Sequence, residues 1–316
     1  MYQFRPFLNA DPPALVEIWN EQPRQRGLVY PTGLVELEQL LFAKQYFERE
    51  GLIVAERDGR PVGFAHAGFG PNESGDALDY ELGTTCMLMV RPDEAPSALA
   101  ADLLAQSEAY MRGRGAKVLY AGCVQPLNPF YLGLYGGSEL PGVLDSDEAR
   151  QALYRAQGYE EIDRIVVLQC DLGRFRPPVD RRQMRLRRSM QLLATVEPRS
   201  TNWWEASKWA LLQRTRFEIA PRSGGPSLAS ATLWDIEPLA TSWGIRAGGL
   251  IELEVAEDQR RQGVATFLLS EALRQIYAQG ISLVEVQVML SNQVARALYD
   301  KLGFTEIDQG AVFRKS

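Results

Sequence analysis

Histidine is nearly missing from this chain, with His66 the single example in 316 residues. A lone histidine inside an apolar run reads as a structural residue. Ser-His-Asp and Cys-His nucleophilic schemes and multi-histidine metal sites are thereby set aside, and no metal is expected. Cysteine is also scarce. Cys86, Cys123 and Cys170 are odd in number, scattered and free of CxxC spacing, which excludes a disulfide frame and a zinc site. No apolar run approaches the roughly 18 residues of a membrane helix. Positive charge is outnumbered, 34 Lys and Arg against 40 Asp and Glu, for a net charge of −6. That balance argues against nucleic acid or a membrane as partner. The opening MYQFRPFLNADPP lacks the charged-then-apolar layout of a signal peptide, so the cytoplasm is the expected location.

What is present is ordinary globular composition, 46% hydrophobic and 23% charged, over a length that suggests two domains. Residues 2–7 read as a strand, and Asp11 before Pro12 as the cap of a helix over 14–21. A second helix is expected over 35–49. Asp58-Gly59 marks a two-residue hairpin between strands 52–56 and 61–69. Further on, 86–90 is a short strand, 98–111 an amphipathic helix, 117–123 a strand, 148–157 a helix and 162–170 a strand. Residues 171–188 contain Pro177-Pro178 and seven arginines and read as a linker. There Met184 and Leu186 alternate with Arg185 and Arg187, the pattern of a strand with one solvated basic face. The second half repeats the order, with helices over 203–213, 263–278 and 294–301 and strands over 217–220, 229–236, 250–255 and 283–290.

The two halves are an internal repeat. Aligning Val90 with Val255 places Leu103-Leu104 on Leu268-Leu269 at an offset of 165, and SDEARQALYRAQGYEEID from Ser146 matches SNQVARALYDKLGFTEID from Ser291 at 145. A repeat of this length means duplicated domains rather than a solenoid. The expected boundaries are 1–172, a connecting segment 173–188, and 189–316.

The chain is organised around residues 250–276, where a β-rich run passes through a polar turn into a long amphipathic helix. The turn holds Arg260-Arg261-Gln262-Gly263-Val264-Ala265. Without a Cβ, Gly263 allows close backbone approach to a ligand. The N–H groups that open the helix have no intrahelical partner and sit at the positive end of its dipole, so the turn is a candidate anion site suited to a pyrophosphate.

Two motifs in order then resemble the GNAT superfamily of acyl-CoA N-acyltransferases. The phosphate motif, Arg/Gln-x-x-Gly-x-Gly/Ala, is met by Arg260, Gly263 and Ala265. Roughly 30 residues on, Asn-x-x-Ala-x-x-Leu-Tyr-x-x-x-Gly-Phe is met by Asn292, Ala295, Leu298, Tyr299, Gly303 and Phe304. The resemblance implies an α/β (α+β) architecture of two tandem GNAT-like domains, each a mixed, mostly antiparallel sheet flanked by helices. It further implies acetyl-CoA as donor and a small-molecule or peptide amine as acceptor. Backbone N–H groups of Arg261, Gln262, Gly263, Val264, Ala265 and Thr266 would hold the pyrophosphate. Leu253, Glu254 and Val255 would pair with the pantetheine arm, and Asn292 would contact it near its sulfur. Tyr299 would protonate the departing thiolate, unless it is a core residue at helical spacing. Glu252, Glu254 and Glu285 are candidates for the base. A CoA-binding sensor or assembly module without turnover is the competing class.

The first half departs from the motif. Ala95, Pro96, Ser97 and Ala98 stand at Arg260, Arg261, Gln262 and Gly263, while Asp147 stands at Asn292 and Tyr154 at Tyr299. Pro96 has no N–H to donate and Ala98 adds a methyl, so the first half is expected to keep the fold without ordinary CoA binding. Its extra segment, 128–145, either shapes an acceptor pocket or packs over a sheet edge.

Overall fold

The computed structural model describes residues 1–94, 96–127 and 129–316. Ala95, in the degenerate motif, and Asn128, the first residue of the extra segment, lie outside them. The chain forms two compact units: Met1–Ile165 with Ser200–Ala210 and Gln309–Ser316, and Val166–Arg199 with Leu211–Asp308. Neither unit is a single stretch of sequence, so these divisions do not coincide with 172 and 189.

The first unit contains β1 (Gln3–Pro6), α1 (Pro12–Asn20), α2 (Leu34–Leu37), β2 (Leu52–Arg57), β3 (Arg60–Pro71), β4 (Leu78–Val90), α3 (Pro96–Gly113), β5 (Val118–Ala121), β6 (Val143–Leu144) and α4 (Glu148–Ala156). Strands β1 to β4 form an antiparallel meander, and β5 joins β4 in parallel. Helix α3 presents Leu99, Leu103, Leu104, Ser107 and Met111 to this sheet, all buried, one stripe at helical period. Asp58 and Gly59 both have positive φ, as the hairpin reading requires.

Two local expectations are corrected here. Asp11 does not cap α1 with its side chain. Its carboxylate instead takes a bidentate pair from Arg5 at 2.7 Å and accepts from the Leu8 N–H. The helix expected over 35–49 is only α2 followed by a π turn, Glu38–Phe42. Beyond it Gln45 and Tyr46 serve tertiary contacts: the Gln45 carbonyl accepts from Trp203 Nε1 at 2.7 Å, and the Tyr46 ring lies 4.7 Å from Trp204.

The chain then runs through β7 (Glu160–Asp171), α5 (Arg181–Ser189), β8 (Met190–Val196), α6 (Trp203–Trp209), β9 (Arg214–Pro221), β10 (Ala229–Asp235), α7 (Glu237–Trp243), β11 (Ala247–Val255), α8 (Val264–Ala278), β12 (Leu283–Met289), α9 (Gln293–Lys301) and β13 (Thr305–Lys315). Within the second unit β8 to β11 are antiparallel, β12 joins β11 in parallel, and β7 stands beside β12. The mixed, mostly antiparallel sheet flanked by helices is borne out. Of the remaining segments, α6 belongs to the first unit. Lys44 Nζ donates to the Lys208 carbonyl at 2.8 Å and the Ser207 carbonyl at 3.3 Å, closing the end of that helix. The end of β13 also belongs there, with Phe313 opposite Ala121 and Gly310 opposite Leu144.

The arginine-rich stretch is a helix and not the alternating strand expected from Met184 and Leu186. Asp180 is extended and its carboxylate accepts from the Gln183 N–H at 2.8 Å, a side-chain N-cap that starts α5. Arg187 pairs with Glu271 on α8 at 2.5 Å. Among the described residues, no helix is long and apolar enough to cross a membrane.

Candidate functional site

The candidate residues of the arginine loop lie in the second unit. Strand β11 is apolar and buried as far as Ile251 and alternates exposed and half-buried residues beyond it. At that change the register with β10 slips: Ser230 faces Glu254, but Thr232 faces Ile251, so β11 holds one extra residue. Glu252 takes it up with φ of +54°, a left-handed conformation costly outside glycine. Thr232 Oγ1 donates to the Glu252 carboxylate at 3.0 Å and secures the bulge. Parallel pairing of β11 with β12 runs from Ala247–Leu283 to Leu250–Val286 and goes no further. The Ala256 N–H donates to the Leu228 carbonyl on the β10 side. By strand alternation, Leu253 and Val255 therefore present their peptide groups to the opposite edge, where β12 has parted.

The chain next makes a 3₁₀ turn, Glu257–Gln259, and enters the arginine loop. Arg260 Nε donates back to the Val255 carbonyl at 3.3 Å, and Gln262 Nε2 to the Asp258 carbonyl at 2.7 Å. Arg261 and Gly263 both have positive φ, +60° and +80°. Gly263 is the N-cap of α8, where no side chain closes the helix. The helical ladder begins with Phe267 N–H on the Gly263 carbonyl at 3.0 Å, so the N–H groups of Val264, Ala265 and Thr266 have no partner in the helix. Behind them Leu268, Leu269, Ala272 and Leu273 are fully buried and lock α8 to the sheet.

Helix α5 adds what the sequence reading missed. Arg182 Nη1 donates to the Arg261 carbonyl at 3.1 Å, and Gln183 Nε2 to the Gly263 carbonyl at 3.2 Å. A peptide is planar and trans, so a carbonyl drawn one way sends the next N–H the other way. The N–H groups of Gln262 and Val264 thus point away from α5. A methyl on Gly263 would lie 2.8 Å from Arg182 Cδ and 3.1 Å from Gln183 Nε2. The loop is a cradle of outward N–H groups, with the exposed Arg260 and Arg261 on it and the dipole of α8 behind it. One signal could have located α5: Asp180-Arg181-Arg182-Gln183 has an N-cap residue followed three positions on by glutamine.

The remaining candidates are spread over the unit. Asn292 is the N-cap of α9, its carbonyl accepting from the Ala295 N–H at 3.1 Å. Tyr299 is 4% exposed and packs its ring 5.3 Å from that of Phe304, within the core built on α8. Glu285, on β12, is fully buried, with Gln169 Nε2 donating to it at 2.9 Å. Glu252 and Glu254 are exposed, while Leu253 and Val255 are half-buried.

The first unit shows the counterpart. Asp147 caps α4 as Asn292 caps α9, its carboxylate reaching the Arg150 N–H. Pro96 opens α3 where the second unit has its arginine loop. Tyr154, the counterpart of Tyr299, is 1% exposed and packs on Tyr159 and Phe313. In the extra segment Phe130, Tyr131, Leu134 and Tyr135 are buried, and Tyr135 Oη accepts from the Leu144 N–H at 2.9 Å. His66 is fully buried, its Nδ1 2.9 Å from Tyr131 Oη, and burial lowers its pKa to about 3.

Comparison with known proteins agrees with this fold. The chain covers 40% of a curated relative, the [ribosomal protein bS18]-alanine N-acetyltransferase of Haemophilus ducreyi, being 40% identical to it over 58 residues, 18% of this chain. Among solved structures, a glucosamine N-acetyltransferase region of a fungal multi-domain β-N-acetylglucosaminidase matches all of this chain and 38% of that one, with TM-score 0.74 and 17% identity. A tandem GNAT protein from the clavulanic acid biosynthesis pathway matches over 100% of this chain and 98% of its own, with TM-score 0.66 and 15% identity. A GCN5-related N-acetyltransferase from Sphaerobacter thermophilus matches over 99% and 95%, also at 0.66, with 16% identity. At such identities these structures speak for the fold alone. The family model described as acetyltransferase (GNAT) family matches residues 13–136 and again 202–304, one stretch for each copy of the repeat and together more than half of the chain. The chain, in both its halves, belongs to the acetyltransferase (GNAT) family.

Proposed function

We propose that this protein transfers an acetyl group from acetyl-CoA to a primary amine of a small molecule or peptide, with the donor held by the second unit. The observation that carries the reading is the Gly263 cradle, whose carbonyls are tied back by Arg182 and Gln183 beside a strand edge opened at the Glu252 bulge. The cradle suits a pyrophosphate because its N–H groups face away from α5 and no side chain caps the start of α8. The opened edge at Leu253 and Val255 offers peptide groups to an extended amide arm, as a sheet edge does to an added strand.

When bound, acetyl-CoA supplies the activated acyl group, a thioester open to attack by a neutral amine. The protein then has to position the two, take a proton from the amine and return one to the sulfur. Asn292 stands at the head of α9 and Tyr299 within it, and we assign Tyr299 as the proton donor to the leaving thiolate. A tyrosine hydroxyl carries its proton at neutral pH and can fill that role. Glu252 is our preferred base, since it is exposed and fixed by Thr232 at the point where the strands part. Glu254 and the buried Glu285 are the alternatives.

A second reading has support in the burial of Tyr299 against Phe304: a CoA-binding module without turnover, in which this tyrosine only packs. Incubation with acetyl-CoA and a panel of primary amines, with release of free thiol as readout, separates the two. Thiol release dependent on one class of amine supports the transferase. Saturable acetyl-CoA binding with no release on any amine supports the module.

A further inference from the structure

Helix α5 carries five arginines in nine residues and no acidic residue. Two of them already have partners within the second unit. Arg182 ties back the Arg261 carbonyl, and Arg187 pairs with Glu271 on α8. The other three, Arg181, Arg185 and Arg188, are exposed, and among the described residues they have no acidic partner.

Helical geometry sorts these side chains onto two faces. At about 100° per residue, Gln183, Leu186 and Arg187 fall on one side. Gln183 is buried against the Gly263 carbonyl, and Leu186 packs on the core that contains α8. Arg181, Arg185 and Arg188 stand at i, i+4 and i+7, on the opposite side, together with Met184, which is 50% exposed. The stripe therefore points away from α8 and from the cradle at its start.

Left to itself this arrangement costs stability. Like charges one turn apart repel, and Arg185 faces both Arg181 and Arg188 at that spacing. Arg181 also stands in the first turn, where the helix dipole disfavours a cation and no acidic residue offsets it. The helix is held instead by the Asp180 cap and by its packed face. A solvated helix face alternates the two signs, whereas this one, in a chain of net charge −6, has one sign only.

Spacing and size select the counter-charge. Arg181 to Arg188 rises about 10 Å along the axis, at about 1.5 Å per residue. A facing helix with carboxylates at i, i+4 and i+7 matches that rise, while three same-side residues of an extended strand span about 13 Å. Arginine throughout, with no lysine, suits paired hydrogen bonds to carboxylate oxygens, and Met184 adds an apolar contact between them. Three cations are few for a nucleic-acid backbone, where roughly six or more phosphates are commonly contacted, and α5 has no aromatic side chain on which a base could stack.

We propose that the outer face of α5 is a docking surface for an acidic helical segment of a partner protein, whose carboxylates pair with Arg181, Arg185 and Arg188. The surface is separate from the cofactor cradle, and the inference does not depend on which residues perform chemistry.

Fluorescence anisotropy on the full chain tests it with a labelled, alanine-based helical peptide bearing glutamates at i, i+4, i+7 and i+11. The wild type should bind this peptide saturably at about 50 mM salt, and about 10-fold or more weakly at about 300 mM. Arg185→Glu should weaken binding at least 10-fold, and Arg181→Ala and Arg188→Ala several-fold each. Arg185→Gln, which drops the charge alone, serves should the reversal unfold. Arg60→Glu makes the same charge change at an exposed position of the first unit and should leave binding as it was. Acetyl-CoA affinity should be equal in Arg185→Glu and wild type; a parallel loss would assign the stripe to the cofactor and overturn the proposal. So would the absence of saturable peptide binding, or equal binding of a peptide with glutamine for glutamate or with its glutamates scattered around the helix. Tighter binding of single-stranded oligouridylate or of phosphatidylglycerol vesicles would overturn it in favour of those partners.

Discussion

The side-chain amide of Gln183 donates to the backbone carbonyl of Gly263 across 3.2 Å, so a helix outside the GNAT motif holds the motif's glycine in place. Its consequence is measurable. Gln183→Leu keeps the volume and removes the donor, freeing the loop carbonyl to turn. A hydrogen bond of about 1 kcal/mol corresponds to roughly a fivefold change in an equilibrium. Acetyl-CoA affinity should fall by about that factor in calorimetry, while S-acetylpantetheine, which has no pyrophosphate, should bind as before. Equal losses on both ligands would mean that Gln183 only packs.

Gly263→Asp should abolish acetyl-CoA binding at the second unit. The φ of +80° is strained for any side chain, and a Cβ would meet Arg182 Cδ at 2.8 Å. The added carboxylate would also repel a phosphate. The melting temperature should drop by several degrees from the strain alone, so the binding loss is read at a temperature where the variant is folded. The wild type should bind one equivalent of acetyl-CoA; two equivalent sites would contradict the asymmetry between Gly263 and Pro96.

Tyr299→Phe removes one hydroxyl from a buried ring. With Tyr299 as the acid, kcat should fall about 10-fold or more while acetyl-CoA affinity holds, since positioned proton transfer contributes about 10²–10⁴-fold and water substitutes only in part. Wild-type turnover in the variant would remove Tyr299 from the mechanism.

His66 makes stability depend on acid. Its folded pKa is lowered by burial to about 3, from the ordinary 6.5. Between those values the unfolded chain binds a proton that the folded chain does not. The contribution of His66 is therefore complete above pH 6.5 and is lost as pH falls toward 3, at a slope of about 1.4 kcal/mol per pH unit. Urea unfolding of wild type and His66→Phe at pH 7 and pH 5 should show the wild type losing more stability; parallel losses would place the acid sensitivity elsewhere.

The sequence alone determined the family and the location of its motif, because both are local. Glycine at a helix start, an apolar stripe at helical period and a duplicated pattern are legible one residue at a time. Asp58-Gly59, Gly263 and the buried stripe of α3 stand where their chemistry puts them. Other local signals misled. Met184 and Leu186 alternate with arginines like a strand, yet the Asp180 cap makes that stretch a helix.

The tertiary structure decided what depends on distant partners. Asp11 has the sequence position of a cap and serves Arg5 and the Leu8 N–H, because a bidentate arginine competes successfully for a carboxylate. Gln183 and Gly263 stand 80 residues apart, and no pattern along the chain announces that one will tie down the other's carbonyl. Propensity and periodicity act over one or two turns of chain, whereas a bulge, a parted strand or a braced loop is set by which surfaces meet once the sheet has closed.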